Sequence, residues 1–515
     1  MTITTAGPAP AATGPARAPR RPAAVLALAR FEARELLLSV LVLGALLLLL
    51  AVTVRAAFFS GEGMDGFPAL QDADRDTQSA PLLLAFAVFA CVNRAVLRSR
   101  RTGTDRHFGV LVMDPWRRTL AHALSVVPFA AFTALVVAFQ FGRAALRPGA
   151  AGHGSVAELA VGPLTVLLFG VAGVLLARLV PSVLAAPLVV VGLYAAGLFL
   201  GVWAQERWFR WLTPVVREHG ADALPSALVG RPAAWHALYL AGLTAALLGV
   251  ALWRSGGRTP WIKVLTAVAV VATAAGAAGQ SQGPSAALEA ARARVSTAPE
   301  EAETCRTRGA TVYCALPEWT GRTGDWAEAV ERVRSVAGEP AASRRLTVRQ
   351  RVEARYGLDS DPSYAPLTAP GEVTVLTRWG GNRVPEFSVG LASVLVAGDE
   401  RAGGRLCDGR TVTAMWLVLG ADPQPLSTLR RVRLDDSLSG SAYVLTPTSG
   451  LGMSAGQTRV VRELLRRPRQ DVTAAVKAHW AELTAPGVPT ARVARLLGVP
   501  DAVRGAGGED RCGDE

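Results

Sequence analysis

The chain reads as a polytopic α-helical membrane protein, with six to seven transmembrane helices, followed by an α+β extracytoplasmic domain. Three observations predict this. Long uncharged apolar runs recur as far as Gln280 and then stop; the segments between them alternate between basic and acidic; and four of the five cysteines, Cys305, Cys314, Cys407 and Cys512, fall after the last run. An apolar run of about 20 residues crosses a hydrocarbon core about 30 Å thick. Arginine accumulates in inner loops, and an even number of cysteines suits an oxidising compartment. The 515 residues divide into an inner tail over 1–22, a membrane part over 23–280 and an outer domain over 281–515.

Charge follows the same division. The formal net charge is +13, of which +2 falls after residue 280 and +11 before it. Excess positive charge in a membrane part is an orientation signal and a contact for lipid headgroups. Nucleic acid is not an expected partner, because the basic residues are tied to the ends of apolar runs instead of forming a stripe on a soluble face.

Met1 to Pro22, rich in Ala, Pro and Thr with no apolar period, predicts a disordered tail. Ala23 to Glu35 mixes apolar and charged residues at helical spacing, which suits a helix lying along the inner surface. Leu36 to Val54 is the first span, and Arg55 after it argues against a cleaved signal peptide. An acidic segment follows, with Glu62, Asp65, Asp72, Asp74 and Asp76 against Arg75. Further spans are expected at Ala80 to Leu97, Leu120 to Gly142, Leu159 to Ala177, Val180 to Ala204, Ala233 to Trp253 and Val264 to Gln280. Alternation from an inner N-terminus puts the basic loops inside and the acidic one outside, with Arg143 and Arg147 running against the bias. Gly197 and Gly201 form a small-residue pair suited to close helix packing. The segment Gln205 to Pro232, with Trp208, Phe209 and Trp211, suits an interfacial aromatic belt or a surface loop.

The loop from Asn93 to His122 carries seven arginines. Orientation alone would need only those charges. It also has a Gly103-Thr104 turn, a short amphipathic segment over His107 to Met113 and an Asp114-Pro115 stop. Val110, Leu111 and Met113 on an inner face call for cover by lipid or a partner.

In the outer domain, Trp326 to Gly338 and Gln457 to Leu483 have helical periodicity, Thr411 to Leu419 reads as a buried helix, and Glu372 to Trp379 alternates like a strand. Cys305 and Cys314 flank a turn before the strand-like ATVYCAL, which predicts a bridged hairpin, although four cysteines allow three pairings. Gly452 to Gly456 matches G-x-S-x-G around Ser454, with Asp471 and His479 downstream. Acid and base would then sit only two helical turns apart on the element that begins at the serine. Ser454 instead reads as a helix cap, with Gln457 completing a capping box. No metal-spaced His/Cys cluster and no phosphate loop around Lys263 or Lys477 is present, so no cofactor is expected and the chain is not its own ATPase.

The amphipathic helix before the first span, the inner loop carrying Arg101-Thr102-Gly103-Thr104 and then VLVMDPWRRTLA, and the aromatic segment between the fifth and sixth spans together resemble the permease subunits of ABC-2 type transporters. The likeness covers roughly Ala23 to Trp253 and rests on Gly103, Thr104, Val110, Leu111, Pro115, Arg117, Arg118 and Ala121. The stretch Asp105 to Gly109 lacks the acidic residue that the family often has before the leucines, and the seventh span and outer domain are additions. The resemblance implies an exporter permease in the cell membrane, working by alternating access, with the inner loop (Met113 included) docked on a separate ABC ATPase and a second permease copy or paralogue beside it. A membrane receptor or scaffold with a ligand-binding outer domain, and a membrane-anchored hydrolase using Ser454, are the readings from other classes.

Overall fold

The computed structural model describes residues 21–59, 63–103, 113–203, 211–216, 218, 220, 222–359, 363–435 and 440–503, without the side chains of 21, 197–203, 435 and 503. The tail expected over 1–22 falls outside this description except for its last two residues. Helix α1 (Arg21–Leu37) covers the segment read as a surface helix. Its Val25 and Ala29 are buried against Ala121, whereas Leu26, Phe31 and Leu37 stay about half exposed. Such a two-faced helix suits the boundary between lipid and water.

The bundle contains α2 (Val40–Phe58), α3 (Leu70–Asp76), α4 (Pro81–Val96), α5 (Pro115–Leu124), α6 (Val127–Ala145), α7 (Val156–Leu179), α8 (Ala185–Trp203), α9 (Ala233–Arg254) and α10 (Pro260–Ser281). Six stretches are long and apolar enough to cross a membrane: Val40–Phe58, Leu70–Val96, Pro115–Ala145, Val156–Leu179, Ala233–Arg254 and Pro260–Thr297. The run read as a fifth span, 180–204, forms α8, whose described apolar part is the shorter Ala185–Ala196. Two other spans differ from the sequence reading. The second is preceded by α3 on the far side of a turn, and the third is divided between α5 and α6 at Ser125 and Val126. Pro81 and Pro128 sit in the first turns of α4 and α6, where the missing N–H of proline costs no hydrogen bond. Pro115 is likewise the first residue of α5, and the segment that Asp114-Pro115 was expected to stop lies, up to residue 112, outside the described residues.

Packing is tightest among α4, α7, α9 and α10. A Cβ on Gly173 of α7 would lie 2.5 Å from the Phe89 carbonyl oxygen of α4, and one on Gly276 of α10 would lie 2.5 Å from the Tyr239 nitrogen of α9. Small residues admit this approach where lipid supplies no hydrophobic drive between helices. The Gly197/Gly201 pair lies where side chains are outside the described residues.

Because the helices alternate in direction, the connections gather at two ends. At one end, Arg98 pairs with Glu32 at 3.4 Å, Thr119 donates to Ser255 at 2.8 Å, and Trp116 meets Trp261 edge-on at 5.9 Å. At the other, the loops 63–80, 147–155 and 211–232 touch the C-terminal part.

That part begins with α11 (Ala286–Thr297) and a sheet of β1 (Thr304–Arg308), β2 (Thr311–Ala315), β3 (Leu346–Gln350) and β4 (Glu372–Val375) in that order. The first pair is antiparallel and the other two parallel. Helices α12 (Thr323–Val336), α13 (Arg383–Ala397), α14 (Arg410–Leu419) and α15 (Pro425–Val432) pack around a core holding Trp319, Trp326, Phe387 and Trp416. Ala151, Leu224 and Leu228, from the bundle's own loops, join that core. A second antiparallel sheet, β5 (Arg433–Asp435), β6 (Ala442–Leu445) and β7 (Gly450–Met453), precedes α16 (Ala455–Leu464), α17 (Arg469–Ala478) and α18 (Thr490–Leu496). The helical period over 457–483 is thus broken, at Pro468, which cannot donate into a continuing helix. The strand read over 372–379 ends at Val375.

Cys305 and Cys314 face each other across the β1–β2 hairpin and are disulfide-bonded. Cys407 is disulfide-bonded as well, Cys512 lies outside the described residues, and Cys91 is free. Replacing Cys305 and Cys314 together by Ser releases a short loop and is expected to lower stability by about 2.5 kcal/mol. Denaturant unfolding of the full-length protein in detergent measures this; an unchanged midpoint refutes it.

Candidate functional site

The densest group of buried charge lies where α3, α7 and the 211–232 loop meet. Arg75 pairs with Glu158 at 3.4 Å and with Glu218 at 3.1 Å. Arg231 reaches Glu218 at 2.6 Å, Asp72 at 3.2 Å and Asp74 at 3.7 Å. Around this core, Gln78 donates to Glu158 at 2.5 Å and the Ser155 amide donates to Asp74 at 2.7 Å. Burial works against the Arg231 charge, but Glu218 and Asp72 hold the guanidinium above its ordinary range. With Arg378 reaching Asp72 at 3.7 Å, four carboxylates share three guanidiniums, which makes the network strongly interdependent, since removing one partner of a buried ion pair strands the other.

The aromatic segment before this network does not form an interfacial belt in its described part. Trp211 is buried, with Arg75 5.3 Å above its ring and His236 5.6 Å from it. His236 contacts Gln280 at 3.0 Å and the Pro214 carbonyl at 3.3 Å, joining α9, α10 and the loop. Trp208 and Phe209 lie outside the described residues.

A second fastening uses one side chain. Arg322, just before α12 and only 2% exposed, donates to the carbonyls of Gly149 at 3.0 Å, Thr377 at 2.8 Å, Phe67 at 2.9 Å and Pro68 at 3.1 Å. Burial pushes its pKa down to about 10, opposed by Asp325, so it stays charged at neutral pH. Glu318 adds a link by accepting from the Ser226 amide at 3.0 Å, and Arg292 by donating to the Leu228 and Val229 carbonyls at 2.8 and 2.7 Å.

Between these fastenings and α2 lies a cavity of about 560 Å³, bounded by α2, α3, α6 and residues 358 and 377–379 of the C-terminal part. Its size falls within the range of about 300–1,000 Å³ typical of small-molecule sites.

The residues read as a docking loop lie at the opposite end. Gly103 takes a positive φ of 68° at the end of the helical turn Arg98–Arg101, as a turn glycine can. Thr104, Val110 and Leu111 fall outside the described residues. Met113 is half buried and Pro115 exposed. Arg117 pairs with Asp114 at 3.2 Å and stacks 5.1 Å over Trp116, and Arg118 is half buried. Ser454 accepts from the Gln457 amide at 3.2 Å while Gln457 accepts from the Ser454 amide at 2.9 Å, the reciprocal capping box at the start of α16. Among the described residues one group has metal-ligand proximity, Glu303 with Cys305 and Cys314, and its two sulfurs are already joined to each other.

Sequence reasoning missed Arg75, Glu158, Arg231 and Arg322 as partners. Glu158 was detectable as a carboxylate immediately before an uncharged run, and Arg143 and Arg147 as exceptions to the charge bias. Arg143 donates to the Ala57 carbonyl at 2.7 Å and faces the cavity. Nothing local marks Arg322. Comparison with known protein families, curated proteins and solved structures returns no match.

Arg322→Met should leave the Phe67, Gly149 and Thr377 carbonyls without their donor, Pro68 keeping the Ala151 amide, and cost on the order of 3 kcal/mol. Hydrogen exchange at residues 63–69 and 147–152 should speed up while the helices α4 and α7 keep their protection. Unaltered exchange in both loops would remove Arg322 from its fastening role.

Proposed function

We propose that the protein is the membrane-embedded permease subunit of an ABC-2 type exporter, driven by a separate ATPase that docks on the Arg98–Arg118 loop. The observation that carries this reading is the make-up of the bundle end away from the C-terminal part. There α1 lies against α5, and Arg98 is anchored by Glu32 at 3.4 Å and Glu35 at 3.7 Å. The anchoring fixes the root of the basic loop and leaves Met113 and Pro115 at its rim. A rigidly rooted loop can pass force from a nucleotide-driven partner into α4 and α5, the two helices it connects. Such a permease works beside a second copy or paralogue, with the N-terminus cytoplasmic and the residues beyond Ser281 outside the cell. The basic inner loops and the disulfides Cys305–Cys314 and at Cys407 support that orientation.

A receptor or scaffold is the second reading, favoured by one observation: the C-terminal part is fastened to the bundle through buried Arg322 and encloses a cavity with it.

Leu111→Asp with Met113→Asp, every arginine retained, should leave insertion unchanged and release the ATPase during purification from native membranes. Recovery of no ATPase with the wild type would favour the receptor. For orientation, a membrane-impermeant maleimide applied to intact cells after mild reduction should label Cys305, which is exposed. Labelling confined to lysed cells would put the C-terminal part inside.

A further inference from the structure

The cavity between the bundle and the C-terminal part has walls of different chemistry. On the bilayer side, α2 contributes Val52, Thr53 and Ala56 and α6 contributes Gln140 and Ala144. Gln140 donates to Thr53 at 2.7 Å, so these polar groups satisfy one another and the surface between them is otherwise apolar. Helix α2 is held by few residues: Val52 and Val54 remain 44% and 46% exposed on its outer side. The cavity is therefore bordered by a helix face that lipid covers in a membrane.

Its other walls carry charge of both signs that is not tied up in direct ion pairs among the described residues. Asp72 is paired with Arg231 at 3.2 Å and Arg378 at 3.7 Å, but Asp65 and Asp76, which also line the space, have no ion pair among the described residues. On the α6 wall, Arg143 has no carboxylate partner among the described residues; it holds the Ala57 carbonyl at 2.7 Å and lies 5.7 Å from the Phe58 ring.

We propose that this cavity binds a membrane lipid with a zwitterionic headgroup, entering sideways between α2 and α6. The acyl chains stay against Val52, Ala56 and Ala144. The ammonium meets Asp65 and Asp76, and the phosphate meets Arg143. A purely cationic amphiphile leaves Arg143 uncompensated, and a purely anionic one leaves the two aspartates so. The inference rests on the bundle being membrane-embedded and not on ATPase docking.

The test uses full-length protein in maltoside micelles and phosphatidylethanolamine bearing pyrene on one acyl chain, read by energy transfer from tryptophan. Binding should be saturable, and phosphatidylglycerol or a trimethylammonium lipid with the same chains should bind roughly tenfold or more weakly, as loss of a charged hydrogen bond implies. Asp76→Asn, Asp65→Asn and Arg143→Gln should each weaken phosphatidylethanolamine by a similar factor, and Ala56→Phe should block it by filling the entrance. Thermal unfolding checks that each variant is folded. Equal binding of all three lipids, or aspartate and Ala56 variants that bind like the wild type, would overturn the proposal, as would non-saturable transfer. ATPase recovery with the same variants should be unchanged, so failure here is separable from failure of the permease reading.

Discussion

The arrangement of this molecule depends on the buried guanidinium of Arg322. It has no carboxylate at salt-bridge distance among the described residues and is held by four carbonyl oxygens from three segments, 67–68, 149 and 377. An arginine suits this task because its planar fork offers five donors and keeps its charge even when burial lowers its pKa to about 10. A lysine could not reach four acceptors in that geometry. The Pro68 carbonyl also accepts from the Ala151 amide at 3.0 Å, whereas those of Phe67, Gly149 and Thr377 belong to loop backbone with no other donor shown among the described residues. The interaction therefore fixes the loops at 67–68 and 149, and through them the distance between the bundle and the C-terminal part.

The ionic network behind it has the opposite character. Arg75 and Arg231 are outnumbered by Asp72, Asp74, Glu158 and Glu218, and the groups share partners. Buried ion pairs of this kind contribute little net stability compared with apolar packing, but they penalise any arrangement that separates them. Their effect is specificity of register: α3, the start of α7 and the 211–232 loop meet in one way. The cavity lies on the side where this fastening ends and the lightly held α2 begins. Tight helices on one side and a loose one on the other give the bundle a place where it can open without breaking the network.

The two ends of the bundle thus differ in kind. One is crowded, with buried charge and a folded part resting on it. The other is built from an amphipathic helix, a few exposed ion pairs and a tryptophan contact, Trp116 with Trp261, beside a basic loop. Exposed ion pairs such as Arg98 with Glu35 contribute at most about 1 kcal/mol, so the root of the loop rests mainly on the largely buried Glu32 carboxylate and on the packing of Val25 and Ala29 against Ala121.

Much of this was legible from residue order alone. Apolar length marked the helices, local spacing marked the α1 amphipathicity, the β1–β2 hairpin with its Cys305–Cys314 bridge, the buried helix at Thr411 to Leu419 and the Ser454 cap, because each of these depends on neighbours within about ten residues. The breaks at Ser125 and Pro468 were missed, since the apolar period runs on through both and only the backbone hydrogen bonds show where one helix ends and the next begins. Arg322, Arg231, Arg75 and Glu158 were beyond reach as a group. Their partners lie up to 255 residues away, and a polar side chain looks the same in sequence whether it meets water or a distant carbonyl. The exceptions to the charge bias, Arg143 and Arg147, were visible as anomalies; the cavity that gives Arg143 a neighbour exists only once α2, α6 and the C-terminal part are packed together.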